Sequence, residues 1–355
     1  MCSSRAGSRD SCLRPFPYGV PVLAGAELTR QESISVVIPT RNRSRLVRRA
    51  IASALNSGGA CGEVLVVDDG STDDTRNVVA AFSDSRVRYD FSDSKGGPTA
   101  RNLGFRAAHN SLIKFLDDDD YLLPGALMQQ LAWFHKLPAA FRDHAVVYGD
   151  PRVTGQIFSR LSWREVPARR RDQETDVEYL SRVNIQTSCP LHQRHLLDAV
   201  GGFNEALPAS QENDLHLRLA LHGVRFIHAP GDVYVFDNSS MRSRISTQRK
   251  SLPVVESRLS LLDGCQAMLT ESFNGTLPNV IRRSLARDFR ECQRWARSAG
   301  FGDLEQECVE RAMSLYPGGT FERHFSGFST YGLVRRVCVK AAKRFRGFLA
   351  RRSKE

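Results

Sequence analysis

Between residues 34 and 116, short runs rich in β-branched residues alternate with segments whose apolar residues recur at helical spacing. Short apolar runs bounded by turn residues are typical of buried strands, and an i, i+3, i+4 pattern is typical of a helix packed by one face. Their alternation predicts an α/β fold, a mostly parallel sheet with helices on both faces. The predicted strands are ISVVIP, EVLVVDD, RVRYDF and SLIKFL.

Polar clusters follow three of these strands, at the point where each strand ends. PTRN follows the first strand, DDGSTDD forms the end of the second, and DDDD follows the fourth. In open α/β sheets, ligands bind outside the carboxyl ends of the strands. We therefore expect acids that are distant in the sequence to be neighbours at one edge of the sheet.

Four consecutive aspartates directly follow the fourth strand. Like charges repel, and carboxylates beside an apolar strand are costly to desolvate, so a cation is expected to compensate them. Hard divalent cations such as Mg²⁺ take oxygen ligands, commonly one or two carboxylates together with substrate phosphates. Strand alternation predicts that Asp117 and Asp119 point to one side and Asp118 to the other. The alternative is a solvated acidic turn in which Asp120 caps a helix that starts near Leu122.

Two further segments can contribute to a nucleotide site. Asp69 lies at the end of the second strand, where its carboxylate can accept hydrogen bonds from a base or a ribose. The acids that follow it also suit the first turn of a helix. KGGPTARN supplies a Gly-Gly turn and a helix N-terminus, which is a common anion site. Arg101 and Asn102 on that helix either reach the ligand or tie the helix to the sheet.

The segment QENDLHLRL places Glu212 and Asp214 in the first turn of an amphipathic helix. A carboxylate there can act as a general base if it faces the reaction centre. The alternative is that the acids only stabilise the helix start through the helix dipole. Arg218 lies four residues after Asp214, so an ion pair within the helix is predicted.

The formal net charge of +11 indicates an anionic partner, either a phosphorylated small molecule, an acidic membrane surface or nucleic acid. Aromatic residues do not interleave with basic ones in the motif region as stacking platforms require, so no nucleic acid partner is expected. The basic, amphipathic segment 333–352 predicts either contact with an anionic membrane surface or a solvated helix.

The eight cysteines are scattered along the chain, without metal-site spacing. This distribution is typical of reduced thiols in a cytoplasmic protein. The expected location is therefore cytoplasmic, with peripheral contact to the inner face of a membrane if segment 333–352 binds lipid.

In these features the chain resembles the inverting glycosyltransferases of family 2, which have the GT-A fold. The resemblance spans residues 34–223 and rests on six stretches in a fixed order. It implies a nucleotide-sugar donor, usually a UDP-sugar, bound with Mn²⁺ or Mg²⁺, and a hydroxyl acceptor on a glycan or a lipid-linked saccharide. The six stretches are ISVVIPTRNR, EVLVVDDGSTDDT, KGGPTARNLG, IKFLDDDDYLLPGAL, VGGFNE and ENDLHLRLALHG.

The same resemblance implies roles for individual residues. Asp119 is the expected direct metal ligand, with Asp117 beside it, and Glu212 is the expected base, with Asp214 in reserve. Many relatives have Tyr where Arg41 stands, and Glu-Asp where this chain has Gln-Glu before Asn213. The residues expected to bind the donor are Pro39, Arg41, Asp69, Gly97, Arg101, Asn102, Asp117 and Asp118.

Three regions are predicted along the chain. Residues 1–33 form a poorly ordered leader, and residues 246–355 form a basic, helical C-terminal extension. Between them, residues 34–245 form the GT-A domain, with a nucleotide-binding half, 34–124, and an acceptor half, 125–245. Two alternatives to an active glycosyltransferase stay open: a catalytically inactive nucleotide-sugar or glycan-binding relative, and a nucleotidyltransferase that releases pyrophosphate.

Overall fold

The computed structural model describes residues 33–93, 95–154, 170–207, 211–237 and 251–317. Most of the predicted leader and the whole basic segment 333–352 lie outside the described residues.

The described residues form eight strands and eleven helices. The strands are β1 (Ile34–Thr40), β2 (Cys61–Asp68), β3 (Val87–Phe91), β4 (Leu112–Phe115), β5 (Tyr121–Leu122), β6 (Ala145–Thr154), β7 (Pro190–Gln193) and β8 (Arg225–Asp237). The helices of the sheet region are α1 (Ser44–Leu55), α2 (Thr75–Ala80), α3 (Gly97–Ala107), α4 (Ala126–Lys136), α5 (Ala139–Arg142), α6 (Asp176–Arg182), α7 (Arg194–Ala199) and α8 (Gln211–Leu221). The last three helices are α9 (Leu252–Ser272), α10 (Asn279–Ala299) and α11 (Gly302–Leu315).

The strands form one sheet in the order β3-β2-β1-β4-β7-β6-β8-β5. β1 pairs in parallel with β2 and β4, and β2 pairs in parallel with β3, as the alternating pattern predicts. β7 runs antiparallel to both β4 and β6, so the strand direction changes in the second half of the sheet. The α/β fold class is confirmed, and the carboxyl ends of β1, β2 and β4 lie at one edge.

The first half of the sheet is buried on both faces, because helices cover it on each side. Every residue of β1 is buried, and α1 packs on the sheet through an apolar stripe at helical spacing. Gly104 lets α3 approach this sheet closely, since a Cβ there would stand 2.3 Å from Val37 Cγ1 and 3.1 Å from Val67 Cγ2. This glycine therefore sets the distance between α3 and the strands that lead to the site.

A lysine lies in the middle of the interior. Lys114 on β4 is fully buried, and its Nζ donates to Gln130 Oε1 at 2.7 Å and to the Cys189 carbonyl at 3.1 Å. Burial lowers the pKa of Lys114 to about 7. Through these two hydrogen bonds Lys114 holds the segment before β7 against the end of β4.

Two histidines stack beside this lysine, between the sheet and α8. The rings of His192 and His216 lie 5.6 Å apart between centroids and are both buried. Both nitrogens of His192 and Nδ1 of His216 have no hydrogen-bond partner in the structure. Burial lowers the pKa of His216 to about 3 and the pKa of His192 well below its usual value.

The C-terminal helices form a second hydrophobic core, as the predicted helical extension requires. It is built from the inner faces of α9, α10 and α11, and Leu217 of α8 also belongs to it. Leu215 and Leu219, on the other side of α8, belong to the core of the sheet. α8 is thus fixed between two cores.

Among the helices of the described ranges, none combines the length and the apolar character needed to cross a membrane.

We expect Gly104→Ala to lower the free energy of unfolding by about 1–3 kcal/mol. The added methyl group overpacks the contact with Val37, and this cost exceeds the gain in helix propensity. Chemical denaturation of both proteins checks this. Gly59→Ala is the matched control, because a Cβ at Gly59 meets nothing within 4 Å, and its stability should stay within about 0.5 kcal/mol of wild type. Equal stability of the two variants would contradict the close α3 contact.

We also expect acid to destabilise the fold through His216. Its folded pKa lies below its unfolded pKa, so the unfolded chain binds more protons below about pH 6.5 and stability falls as the pH drops. His216→Leu should remove about 2 kcal/mol of the stability loss between pH 7 and pH 5. Urea denaturation at both pH values measures this, and exposed His222→Leu serves as control, with a pH dependence equal to that of wild type. The same pH dependence in all three proteins would contradict this account.

Candidate active site

Thr40 at the end of β1 and the aspartates after β4 meet at the edge of the sheet. Thr40 Oγ1 donates to Asp118 Oδ2 at 2.8 Å, across 78 residues of sequence. Asp118 is 4% exposed, and its burial raises its pKa to about 6 despite the nearby Arg43. The expectation that distant polar clusters converge is confirmed at this position.

The other three aspartates form a separate cluster. Carboxylate oxygens of Asp117, Asp119 and Asp120 all lie within 4.8 Å of one another. The predicted alternation is wrong here, because residues 118–119 form a turn and one guanidinium nitrogen of Arg43 contacts both Asp118 and Asp119. The donor set, carboxylate oxygens only, fits a hard divalent cation such as Mg²⁺ or Mn²⁺.

The alternative role considered for Asp120, as the cap of a helix that starts near Leu122, is wrong. Residues 121–122 form β5 and the next helix begins at Ala126, so Asp120 does not cap a helix at Leu122. Its Oδ1 instead accepts a hydrogen bond from the Asp237 N–H at 3.3 Å, at the end of β8. The sequence analysis assigned Asp120 no part in the site, because the contact with β8 exists only in the folded chain.

Arg43 compensates the buried aspartates and was missed by the sequence analysis. Its Nη1 lies 2.7 Å from Asp118 Oδ1 and 3.3 Å from Asp119 Oδ2. These carboxylates raise the pKa of Arg43, although its own burial acts in the opposite direction. The available signal was the need of four aspartates for counter-charges, and Arg43 stands just beyond the strand end that faces them.

Arg49 supplies a second cation to the same loop. Its Nη2 donates to the Asp119 carbonyl at 2.6 Å, its Nη1 pairs with Asp237, and its guanidinium lies 4.7 Å from the ring centroid of Tyr121. The start of α1 therefore places Arg43, the residue before the helix, on the carboxylates, and α1 itself places Arg49 on the backbone of the aspartate loop.

Arg101 connects this loop with α8. One guanidinium nitrogen lies 2.6 Å from Asp117 Oδ1, and the other donates to Gln211 Oε1 at 3.0 Å. Gly97 lies under this guanidinium, since a Cβ at that position would stand 3.0 Å from Arg101 Nη1. The sequence left open whether Arg101 reaches the ligand or ties α3 to the sheet. In the structure its side chain contacts the aspartate loop and α8, at the site.

Asn102, the neighbour of Arg101, has structural contacts, but they lie outside the sheet. Its side chain exchanges hydrogen bonds with the backbone of Phe203 at 2.8 and 2.9 Å and donates to Glu205 Oε1 at 2.7 Å. It is 1% exposed. Asn102 therefore ties α3 to the VGGFNE segment.

The residues expected around the nucleotide lie at the ends of β1 and β2. Pro39 is buried within β1, and Arg41 is exposed just beyond it. Asp69 is buried, and its two carboxylate oxygens accept the Gly96 N–H at 3.1 and 3.0 Å. Asp69 thus holds the Gly-Gly turn at the start of α3 against the end of β2.

Glu212 and Asp214 have different surroundings on α8. Glu212 is half-buried, and its Oε1 accepts the Asn184 side-chain N–H at 3.0 Å. Asp214 is buried and pairs with Arg218 at 2.5 Å, so the predicted ion pair is confirmed. Arg218 also donates to two carbonyls of the 200–202 turn, at 2.6 and 2.8 Å. Asp214 is therefore engaged in holding this turn.

Comparison with known proteins shows which family the sequence around this site is similar to. The profile described as Glycosyl transferase family 2 matches residues 35–197. This part of the chain is therefore similar to glycosyl transferase family 2. This segment contains β1, the aspartate loop and all three arginines that compensate the aspartates.

Relatives in other organisms are similar over part of their length. The succinoglycan biosynthesis protein ExoU of Rhizobium meliloti (strain 1021) is 32% identical over 224 residues, 59% of this chain and 63% of ExoU. The UDP-Glc:alpha-D-GlcNAc-diphosphoundecaprenol beta-1,3-glucosyltransferase WfgD of Escherichia coli is 35% identical over 109 residues, 30% of this chain and 43% of WfgD. The alignments thus span less than two thirds of either relative.

A solved structure supports the fold. The mannosyltransferase PcManGT of Pyrobaculum calidifontis, in complex with GDP-Man and Mn²⁺, superposes with a TM-score of 0.51. The match covers 89% of this chain and 82% of that chain at 16% identity. Similarity at this level concerns the fold, and the GT-A architecture is thereby confirmed.

We expect Asp214→Asn to destabilise the protein and Glu212→Gln to leave its stability unchanged. Breaking the buried pair leaves the Arg218 guanidinium without its carboxylate, at a cost of about 2 kcal/mol, given that Arg218 is partly exposed. Glu212 makes one hydrogen bond at the surface, so its change should stay within about 0.5 kcal/mol. Thermal and urea denaturation of the two variants measure this difference. Equal stabilities would contradict the separation of roles between these two acids.

Proposed function

We propose that this protein is an inverting glycosyltransferase. It transfers a sugar from a nucleotide donor, a UDP-sugar, to a hydroxyl group of a glycan or a lipid-linked saccharide. The observation that carries the proposal is the family 2 segment, whose aspartate cluster is connected through Arg101 to the helix that bears Glu212.

The donor and acceptor classes come from the relatives. The name of WfgD specifies UDP-Glc as donor and a diphosphoundecaprenol-linked sugar as acceptor. ExoU is named for succinoglycan biosynthesis, which also concerns a polysaccharide. Work on a lipid-linked acceptor would bring the protein to the inner face of a membrane as a peripheral protein.

Different residues of the site are proposed to bind different parts of the donor. Pro39, Arg41 and Asp69 lie at the strand ends, where we propose that the nucleotide binds. The N-terminus of α3, with Gly97 as its first residue, faces the same edge and suits the diphosphate. Arg101 adds a planar cation that can serve Asp117 and the donor phosphates together.

Asp119 and Asp117 are the residues proposed to hold Mn²⁺ or Mg²⁺, with Asp118 behind them. When bound, the cation would neutralise charge that develops on the leaving nucleoside diphosphate. Within the chain, Arg43 and Thr40 fix the Asp118 carboxylate, and Arg49 fixes the loop backbone at Asp119. The loop is therefore rigid before a ligand enters, which is what transition-state stabilisation requires.

Glu212 is proposed as the general base. Its Oε1 accepts a hydrogen bond from Asn184, which orients the carboxylate and leaves Oε2 for an acceptor hydroxyl. Glu212 takes the proton from this hydroxyl, whose oxygen forms a bond to the anomeric carbon while the bond to the diphosphate oxygen breaks. A single displacement of this kind inverts the configuration at that carbon.

The test is release of nucleoside diphosphate from a panel of nucleotide sugars, with Mn²⁺ and with EDTA. We expect metal-dependent release from a UDP-sugar by the wild-type protein and loss of release in Asp119→Ala. Transfer to an acceptor should fall about 10²–10⁴-fold in Glu212→Gln and be partly retained in Glu212→Asp, which keeps a carboxylate.

Two control variants are measured in the same assay, and three results would contradict the proposal. Asp303→Ala and Glu256→Gln change the same residue types at exposed positions of α11 and α9 and should be fully active. Pyrophosphate release would indicate a nucleotidyltransferase. Binding of UDP with Mn²⁺ by calorimetry, without any turnover, would indicate a catalytically inactive relative. Retention of anomeric configuration in the product would exclude the single displacement.

A further inference from the structure

One face of α10 is a row of arginines. α10 contains six arginines and two acidic residues. At 100° per residue, Arg283, Arg290 and Arg294 lie within a sector of about 40°. This sector is opposite the side through which α10 enters the second core. The residues of that buried side are Ile281, Leu285, Phe289, Cys292 and Ala296.

The three arginines of this row differ from their neighbours on the helix in how they are paired. Arg297 pairs with Glu305 at 2.5 Å, and Arg287 pairs with Asp288 at 3.1 Å. In contrast, the described part of the chain provides no carboxylate partner for Arg283, Arg290 or Arg294. Among the described residues, the exposed Arg283 and Arg294 and the half-buried Arg290 between them therefore have no carboxylate partner.

Neutral contacts orient two of the three arginines. The guanidinium of Arg283 lies 5.2 Å from the ring centroid of Tyr316, and Arg290 donates to Gln293 Oε1 at 3.2 Å. Arg294 is exposed. Because the row spans eleven residues of helix, it is straight and about 16 Å long. A straight row of guanidinium groups is complementary to a flat surface that carries phosphates.

The continuation of the sequence has the same sign of charge. The described chain ends just beyond Tyr316, beside Arg283, and residues 318–355 contain ten lysines and arginines against two glutamates. Like charges repel, so the net positive charge of this sequence offers no counter-charge to the row. Both would instead be attracted to one extended anionic surface.

We propose that Arg283, Arg290 and Arg294 of α10 bind the anionic surface of a lipid bilayer. A bilayer fits better than single-stranded nucleic acid, because Phe289 of α10 is buried in the second core and Tyr316 is stacked against Arg283, so neither ring offers a face to a base. The row lies on a different element from the aspartate loop, and its binding to lipid does not depend on glycosyl transfer. It would place the second core, and with it α8, next to the membrane.

The experiment measures partitioning of the full chain onto vesicles, without donor or acceptor. Vesicles of mixed phosphatidylcholine and phosphatidylglycerol are compared with vesicles of phosphatidylcholine alone. The variant combines Arg283→Gln, Arg290→Gln and Arg294→Gln. Each cation near an anionic surface contributes roughly a fivefold factor, so we expect the partition coefficient on mixed vesicles to fall roughly a hundredfold. The corresponding Arg→Lys variant keeps the charge and should bind like wild type.

The matched control combines Arg48→Gln, Arg76→Gln and Arg106→Gln, which removes three exposed arginines from helices of the sheet region. It has the same net charge as the row variant and should keep wild-type partitioning, because charges far from the contact are screened. Equal losses in both variants would overturn the proposal in favour of an effect of net charge. No loss in the row variant would also overturn it. Loss of DNA binding with intact vesicle binding would assign the row to nucleic acid instead.

Discussion

The site depends on how four consecutive aspartates are kept together at the end of β4. A parallel sheet brings its carboxyl ends to one edge, so these acids meet each other at low solvent exposure. Three arginines compensate them: Arg43, just before α1, on Asp118 and Asp119, Arg49 of α1 on the Asp119 carbonyl, and Arg101 of α3 on Asp117. Removing Arg43 or Arg101 would take the cation away from a buried or half-buried carboxylate, which is more costly than never having formed the pair.

The second constraint is the position of α8. The sheet core holds it through Leu215 and Leu219, the C-terminal core holds it through Leu217, and Arg101 holds its first residue, Gln211. A proposed base one residue further along is thus fixed relative to Asp117 without any direct contact. The C-terminal helices, which the sequence analysis assigned to an extension, therefore stabilise the helix that carries Glu212.

The interior below the site contains side chains that can carry a positive charge, and burial lowers the pKa of each of them. Lys114 has two neutral acceptors, and His192 stacks on His216 without hydrogen-bond partners for its own ring nitrogens. Sequence periodicity marked these positions only as parts of a strand and a helix. Their surroundings come from β4, β7 and α8 together, so their altered pKa values could not be read from local sequence.

What the sequence determined by itself is the order of strands and helices through β4, the convergence of polar clusters at one sheet edge, and the Asp214–Arg218 pair. These follow from local periodicity and from the geometry of a parallel sheet, both of which are fixed by neighbours in the chain. Only the tertiary structure decided that Arg43 compensates Asp118 and that Asp120 contacts the end of β8. It also decided that Asn102 binds the 203–205 segment, whereas Arg101 contacts the aspartate loop. Each of these joins residues from separate elements, and the partner of a charge depends on which helix packs beside it.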